Sequence, residues 1–353
     1  MYILAIEGSC NKLGIGILYK DKILSNLRRT YNAPDKTGCI PSLIGVHHRK
    51  EILTLLEESL KVANITLNEI SIFCYTRGPG ISAPLIICAT VARTLAYLYD
   101  KPLIPVNHCI AHIEMGRLIT KMINPVILYV SGGNNQLISY KSENIYDEKS
   151  GEVIKKSKRY KIFGETIDIA VGSFLDRMAR VLNLPNNPSP GYNIMKRAEL
   201  SNNYIKLPYS VKGMDVSFSG ILTHCIGIVE NKKRSKTEDF DSFVNDMCYS
   251  IQETVFSALV EITERALSFI GCNEVLIVGG VGCNIRLQEM MAQMLKDRNG
   301  KLGCMDERYC IDNGAMIGYT GYLMYESGER FLKEECDVTQ RFRTDSVEVT
   351  WRE

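Results

Sequence analysis

Two stretches of this chain repeat one pattern, and the repetition limits the fold more than any single motif does. An apolar run over residues 2–7 gives way to turn residues from Gly8 to Gly14 and a second apolar run from Ile15 to Tyr19. The same order returns with Val126–Val130, the Ser131-Gly132-Gly133 turn and Gln136–Tyr140. Apolar run, small turn, apolar run is the mark of a β-hairpin. Alternating helix and strand periodicities follow each hairpin. In the first half these are a strand at Lys22–Arg29, a helix from His48 to Ala63 carried by Ile52, Leu55, Leu56 and Leu60, and a strand at Ile70–Thr76. The loop Arg77–Gly80, a helix from Ala83 to Tyr99 and a strand at Leu103–Val106 complete it. In the second half a long helix over Asp246–Ile270, a strand at Val275–Val278 and a Met-rich helix over Asn284–Lys296 close the chain. This duplication predicts an α/β protein of two related lobes facing each other across a cleft, where ligands would sit.

A chain of 353 residues exceeds what one small core serves, which also argues for two domains. The restart of the pattern divides it into lobes at 1–124 and 125–325, with a tail at 326–353. In the tail, alternation at Val347, Val349 and Trp351 fits an edge strand or a docked segment. Two basic runs, within Glu143–Lys161 (Lys149, Lys155, Lys156, Lys158, Arg159, Lys161) and at Lys232-Lys233-Arg234, read as exposed loops that are either solvated or in contact with RNA. With 42 basic against 40 acidic residues, bulk charge neither predicts nor excludes a nucleic acid partner. The 12 cysteines contain no C-x-x-C pair, which fits neither a zinc ribbon nor a dense disulfide framework and suits reduced thiols in the cytosol. No basic leader and no membrane-length apolar run is present, so secretion and membrane insertion are not expected.

His108 and His112 lie four apart directly after a strand, so a helix there puts both imidazoles on one face, as a divalent metal requires; capping or interior hydrogen bonding is the alternative. A zinc-peptidase reading loses its general base, because Cys109 stands where H-E-x-x-H needs glutamate and Glu114 points elsewhere on such a helix. The turns Ser131–Gly133 and Gly279-Gly-Val-Gly282 each follow an apolar strand, where backbone N–H groups can approach phosphates closely; tight packing turns explain them equally. Neither matches a P-loop or dinucleotide fingerprint. In the first turn, Ser9, Asn11 and Lys12 could grip phosphate oxygens or form a generic polar turn. Glu165, Asp176 and Asp312 are acidic residues in glycine-containing or apolar settings, and Asp312 sits at a helix start, where a carboxylate is either cap or ligand.

Seven ordered motifs together resemble one family. They are Asn107-His-Cys-Ile-Ala-His-Ile-Glu114, Tyr129-Val-Ser-Gly-Gly133, Phe163-Gly-Glu-Thr-Ile-Asp-Ile-Ala-Val-Gly172, Pro188-Ser-Pro-Gly-Tyr-Asn193, Lys212-Gly-Met-Asp-Val-Ser-Phe-Ser-Gly220, Val278-Gly-Gly-Val-Gly-Cys-Asn284 and Ile311-Asp-Asn-Gly-Ala-Met316. The chain resembles, from Ile3 to the tail at Arg341–Asp345, the KEOPS-type tRNA threonylcarbamoyl transferases of archaea and eukaryotes. The resemblance implies an actin-like ATPase (ASKHA) fold. It implies transfer of the threonylcarbamoyl group of threonylcarbamoyl-adenylate to N6 of the adenosine 3′-adjacent to the anticodon, in tRNAs reading A-starting codons. Carried residue by residue, it makes His108, His112, Tyr129 and Asp312 the ligands of one divalent metal, iron or zinc, acting as Lewis acid and template. It makes Tyr129, Val130, Ser131, Gly132, Gly133, Asp176, Gly191 and Asn284 the substrate contacts, with Asp176 toward ribose hydroxyls and Met195, Ser9, Asn11, Lys12 and Glu165 as further candidates.

The chain departs from the family pattern where Met195 replaces a glutamate, Ser82 a glycine and Asn135 a threonine. Met195 removes one possible ribose acceptor and leaves the metal constellation intact. The family further implies a partner of the atypical protein kinase type, a small subunit docking on the N-terminal lobe, and a cytoplasmic protein, in a eukaryote a nuclear one too. Two other classes compete: an ATP-hydrolysing or sugar-phosphorylating member of the same fold, and a nonenzymatic RNA-binding scaffold. Sugar kinases of this fold use an aspartate and magnesium, so the paired imidazoles favour the transferase.

Overall fold

The computed structural model describes residues 1–147, 153–235 and 239–352. Strands β1 (Tyr2–Glu7), β2 (Lys12–Tyr19) and β3 (Lys22–Thr30) form an antiparallel meander. Helix α1 (Pro41–Ala63) carries the chain to β4 (Ile70–Gly78), and α2 (Ser82–Leu98) carries it to β5 (Leu103–Asn107). β4 and β5 add parallel to β1, giving the sheet order β3-β2-β1-β4-β5. Parallel strands need covered faces, and β1 and β5 are accordingly apolar and buried almost throughout. α1 begins at Pro41 rather than at His48, because Leu43 and Val46 in its first turns face solvent, out of phase with the buried Ile44, Ile52 and Leu55. Pro41 itself suits a first helical position, where no N–H is needed.

Helix α3 (His108–Thr120) follows β5 without a loop. A second sheet then starts with β6 (Val126–Val130), β7 (Asn135–Tyr146) and β8 (Val153–Glu165). Helices α4 (Val171–Val181) and α5 (Pro190–Ala198), the short ribbon β9 (Val211–Lys212) and β10 (Asp215–Val216), and helices α6 (Ser219–Ser235) and α7 (Phe240–Ile270) follow. The chain then adds β11 (Glu274–Val278), α8 (Ile285–Asp297) and β12 (Lys301–Gly303), and ends its regular structure with α9 (Glu307–Cys310) and α10 (Gly314–Glu326). The second sheet has the order β12-β11-β6-β7-β8, three parallel strands followed by two antiparallel ones. Read from its parallel end, β5-β4-β1-β2-β3, the first sheet has the same design. The repeat visible in the sequence is thus a repeat of topology.

Three apolar clusters stack through the molecule. One joins α1 and α2 to the outer face of the first sheet, one joins α4 to α8 to the outer face of the second, and the third fills the space between the sheets around α3 and α10. α10 reaches back to β2 through backbone contact: a Cβ on Gly314 would lie 2.0 Å from the Gly16 nitrogen, and one on Gly16 only 2.4 Å from the Ala315 nitrogen. Glycine on both sides is what lets the start of α10 lie against the first sheet.

Several expectations need correction. The basic run within Glu143–Lys161 is mostly hairpin, not loop: Ser139 to Ile145 ladder onto Lys161 to Lys155, and Tyr140 and Tyr160 turn toward the core, so lysines occupy the edge strand that charged side chains protect. Lys149 lies outside the described residues. Lys232, Lys233 and Arg234 form the last turn of α6, where cations offset the C-terminal end of the helix dipole. The tail is a docked segment and not a strand, with Val349 N–H bonded at 2.8 Å to the Lys158 carbonyl and a short 3-10 turn at Thr344–Ser346. Among the described residues no helix is long and apolar enough to cross a membrane.

Candidate metal and nucleotide site

The site begins with a helix cap. Asn107 ends β5, and its side-chain oxygen accepts from the Cys109 and Ile110 N–H groups at 3.0 and 3.1 Å, so α3 starts at His108. One helical turn then separates His108 from His112, and their rings meet edge to face with centroids 4.8 Å apart. Glu114 points away, as expected, toward Tyr160 and Arg117.

Asp312 arrives from the α9–α10 junction. Asn313 is the cap of α10, accepting from Met316 N–H at 3.0 Å, which leaves the Asp312 carboxylate free to face the histidines. Its Oδ1 lies 3.1 Å from His112 Nε2 and 3.5 Å from His108 Nε2, and its Oδ2 lies 3.4 Å from Lys12 Nζ. One ligand atom from each of His108, His112 and Asp312 falls within 4.8 Å of the others. Tyr129, at the penultimate position of β6, brings its ring centroid 5.5 Å from that of His112.

Two buried atoms in this group lack partners. Among the described residues His112 Nδ1 has none, and the Tyr129 hydroxyl has none of ordinary hydrogen-bond geometry, although the Cys109 and Ser131 side chains stand beside it. Buried polar atoms are seldom orphaned. Two imidazoles, a carboxylate and an orphaned phenol oxygen are a donor set that suits a borderline cation such as iron or zinc. The residues therefore fit a metal.

The electrostatics are those of a compact charged cluster. Burial opposes ionisation of Asp312, yet Lys12 and the two histidines hold its carboxyl well below the usual range. Burial likewise opposes a charge on His108, but the Glu7 carboxylate outweighs it and raises the pKa. At His112 burial dominates and the pKa falls. Burial pushes the Tyr129 phenol well up, with Cys109 and Asp312 adding to the effect.

The other predicted residues divide into those gathered here and those held elsewhere. The turn Ser131–Gly133 follows Tyr129 and the buried Val130, and is closed by Ser131 N–H to the Asn134 carbonyl at 2.8 Å, with Gly132 and Gly133 open to solvent. The second glycine turn sits against it: Gly279 has φ 92, and a Cβ there would lie 2.3 Å from the Val130 oxygen. The start of α4 closes over both, with Gly172 N–H bonded to the Ser131 carbonyl at 3.1 Å. Asp176, half-buried on α4, has its pKa raised by burial against the pull of Arg180 and Lys12, so it lies within electrostatic reach of Lys12. Gly191 opens α5 and packs toward Leu175, 3.9 Å from where its Cβ would stand.

Asn11 accepts from Lys12 Nζ at 3.3 Å and donates to the Tyr31 carbonyl, while Ser9 is buried with its N–H on Glu7. Met195 is buried in α5 at 8% exposure. Asn284 is committed to capping α8, accepting from Arg286 N–H at 2.9 Å and donating to Gln252 at 3.0 Å. Glu165 is held at the end of β8 by Gln136 at 3.4 Å and Arg343 at 3.5 Å, outside the His108, His112 and Asp312 group.

Sequence reasoning missed Glu7. It is fully buried at the end of β1, with Oε2 3.2 Å from His108 Nδ1. The available signal was a single carboxylate closing an otherwise apolar strand, since such a group is rarely buried without partners.

Comparisons with known proteins bear on the fold and the family. HypF from T. kodakarensis superimposes with a TM-score of 0.58 at 14% identity, over 92% of this chain and 48% of that one, and full-length HypF in its phosphate- and nucleotide-bound form gives 0.54 at 13% over 93% and 56%. Both have the actin-like ATPase fold, which is the fold of this chain. In sequence, the tRNA N6-adenosine threonylcarbamoyltransferase of Encephalitozoon cuniculi is 57% identical over 353 residues, covering 100% of both chains. The Homo sapiens protein of the same name is 53% identical over 351 residues, covering 99% of each. The model of the TsaD family, described as tRNA N6-adenosine threonylcarbamoyltransferase, matches residues 22–319. This chain therefore belongs to the TsaD family of tRNA N6-adenosine threonylcarbamoyltransferases.

Proposed function

We propose that this transferase moves the threonylcarbamoyl group of threonylcarbamoyl-adenylate to N6 of the adenosine 3′-adjacent to the anticodon, in tRNAs reading A-starting codons, with one iron or zinc ion held by His108, His112, Tyr129 and Asp312. The observation that carries the metal part is the convergence of two imidazoles and a carboxylate within 4.8 Å beside a buried phenol that has no hydrogen-bond partner among the described residues. When bound, such a cation polarises a carbonyl or phosphate oxygen of the adenylate and orients it. In the reaction the N6–carbonyl bond forms, the carbonyl–phosphate bond breaks, AMP leaves and N6 gives up a proton.

The chain's own residues supply the setting. Lys12, paired with Asp312, offers a cation to the phosphate. The open turn at Ser131–Gly133 offers backbone N–H groups without a Cβ in the way, and Asp176 offers an acceptor to the ribose. Burial of both histidines and Tyr129 keeps water from competing for the activated carbonyl.

The reading extends to lobes at 1–124 and 125–325 with a tail at 326–353, and to a cytoplasmic enzyme, nuclear also in a eukaryote. It includes a KEOPS-type complex with an atypical protein kinase and a small subunit. The exposed Leu43, Val46 and Leu53 on α1 and Ile86 and Leu98 on α2 support a docking face for that small subunit on the N-terminal lobe.

The test is transfer of labelled threonine to tRNA by the purified protein with its partners and an adenylate-forming enzyme. The parent should label the anticodon loop, and the His108→Ala, His112→Ala double variant should lose both metal and label while keeping its fold. Label from the metal-free variant would overturn the metal role. ATP hydrolysis without label would favour the ATPase reading.

A further inference from the structure

We propose that Glu7 is a positioning residue for the metal site: its buried carboxylate holds His108 in the Nδ1-protonated tautomer and leaves Nε2 free for a divalent cation. The inference rests on the metal reading above. Glu7 closes β1 with no exposure to solvent. Three donors surround its two oxygens. The Ser9 N–H meets Oε1 at 2.7 Å, while the Thr76 hydroxyl and His108 Nδ1, the latter at 3.2 Å, share Oε2. An ionised carboxylate only accepts, so the proton between Glu7 and His108 belongs to the imidazole. In the neutral imidazole, the form that binds a cation, the lone pair of His108 is then on Nε2, the nitrogen that faces Asp312 Oδ1 at 3.5 Å.

The support for this contact is rigid. Glu7 is on β1, Thr76 on the neighbouring parallel strand β4, and Ser9 in the turn that follows β1, so the first sheet itself aims the His108 ring. His112 has no counterpart, since among the described residues its Nδ1 is buried without a partner. The two imidazoles are therefore unequal: His108 is oriented through Nδ1 by a carboxylate, as metal-binding histidines commonly are, whereas His112 has only the Asp312 contact at its Nε2, on the side of the metal position. Glutamine at position 7 cannot serve all three donors, because its amide nitrogen must oppose either the Ser9 N–H or His108 Nδ1–H.

The experiment compares metal-stripped parent, Glu7→Gln, His108→Ala and the Glu7→Gln, His108→Ala pair, titrated with cobalt(II) against a chelator while the cobalt absorption bands are recorded. Glu7→Gln should weaken cobalt binding by about 10- to 100-fold and shift the bands. In the His108→Ala background the same change should add nothing, because the carboxylate acts through that ring. Cobalt binding by Glu7→Gln equal to the parent, or losses that simply multiply in the pair, would overturn the proposal. A parent that binds no cobalt, or a His108→Ala variant that binds like the parent, would instead sink the metal reading itself. Should Glu7→Gln not fold, nitrogen-15 spectra of histidine-labelled, zinc-loaded parent decide the matter: a proton on His108 Nδ1 supports the role, and one on Nε2 refutes it.

Discussion

Tyr129 shows most directly what single residues are asked to do here. Its hydroxyl is completely buried and among the described residues makes no hydrogen bond of ordinary geometry, so the folded chain without metal carries a poorly compensated polar group. Leaving such a group unpaired costs about 1–3 kcal/mol. Tyr129→Phe should therefore leave the metal-free protein as stable as the parent or up to about 1 kcal/mol more stable, while weakening metal binding. Thermal melts of metal-free protein and a chelator competition report the two effects, and a variant that lost stability without losing metal would contradict the assignment. The division of labour between Asp312 and Asn313 belongs to the same scale. Both residues have the chemistry of a cap, but only Asn313 takes the cap, which frees the neighbouring carboxylate for the histidines.

Among the elements, α1 contributes more than a covering layer. Its His48 is fully buried, bonded at 3.0 Å to the Ile44 carbonyl, and faces the turn after β1, where a Cβ on Gly8 would lie 3.3 Å from its ring. Burial lowers its pKa from 6.5 to about 4. As pH falls through about 6.5 the unfolded chain takes up a proton at this residue, whereas the folded chain resists until about pH 4. The contribution of His48 is thus fully present above the unfolded pKa and declines through that window. Urea titrations should find the stability of the parent relative to His48→Gln falling by roughly 2–3 kcal/mol between pH 7 and pH 4.5. A difference independent of pH would show that the imidazole is not kept neutral by burial.

Over the whole molecule, the tail ties the two sheets together. Thr339 N–H bonds the carbonyl of Arg77, the penultimate residue of β4, at 2.8 Å, the Phe342 carbonyl accepts from the Asn107 side chain at 3.2 Å, and Val349 reaches β8. Arg352 ends this path in a buried seat, donating to the Tyr160 hydroxyl at 2.8 Å and the Ile123 carbonyl at 2.7 Å and stacking 3.8 Å from the Tyr140 ring centre. Tyr160 in turn donates to Glu114 of α3 at 2.6 Å, so the tail is linked by hydrogen bonds to the helix that carries the histidines. Arg352→Ala should cost roughly 2–3 kcal/mol in denaturant unfolding, from charged hydrogen bonds and the lost ring contact. A change within about 0.5 kcal/mol would mean that the tail lies on the surface without holding it together.

The repeat of hairpin and βα units was legible because alternating burial and turn chemistry are local, and the His108–His112 pair was legible because four residues make one helical turn. The family followed from motifs whose order along the chain is itself sequence information. Tertiary structure alone decided what those residues face. It set Asp312 against His112 across 200 residues of chain, buried Glu7 against His108, and left the Tyr129 hydroxyl without a partner among the described residues. It also drew Asn284 into a cap and Glu165 toward Gln136 and Arg343, roles their residue types allowed but did not dictate. Lysine-rich β8 read as a loop because charge on an edge strand masks its alternation, and α10 showed no sign of its place against β2 because glycine-to-backbone contact leaves no apolar pattern. Local periodicity is written in the sequence, whereas burial, pairing and protonation depend on which distant segments the fold brings within a few ångströms.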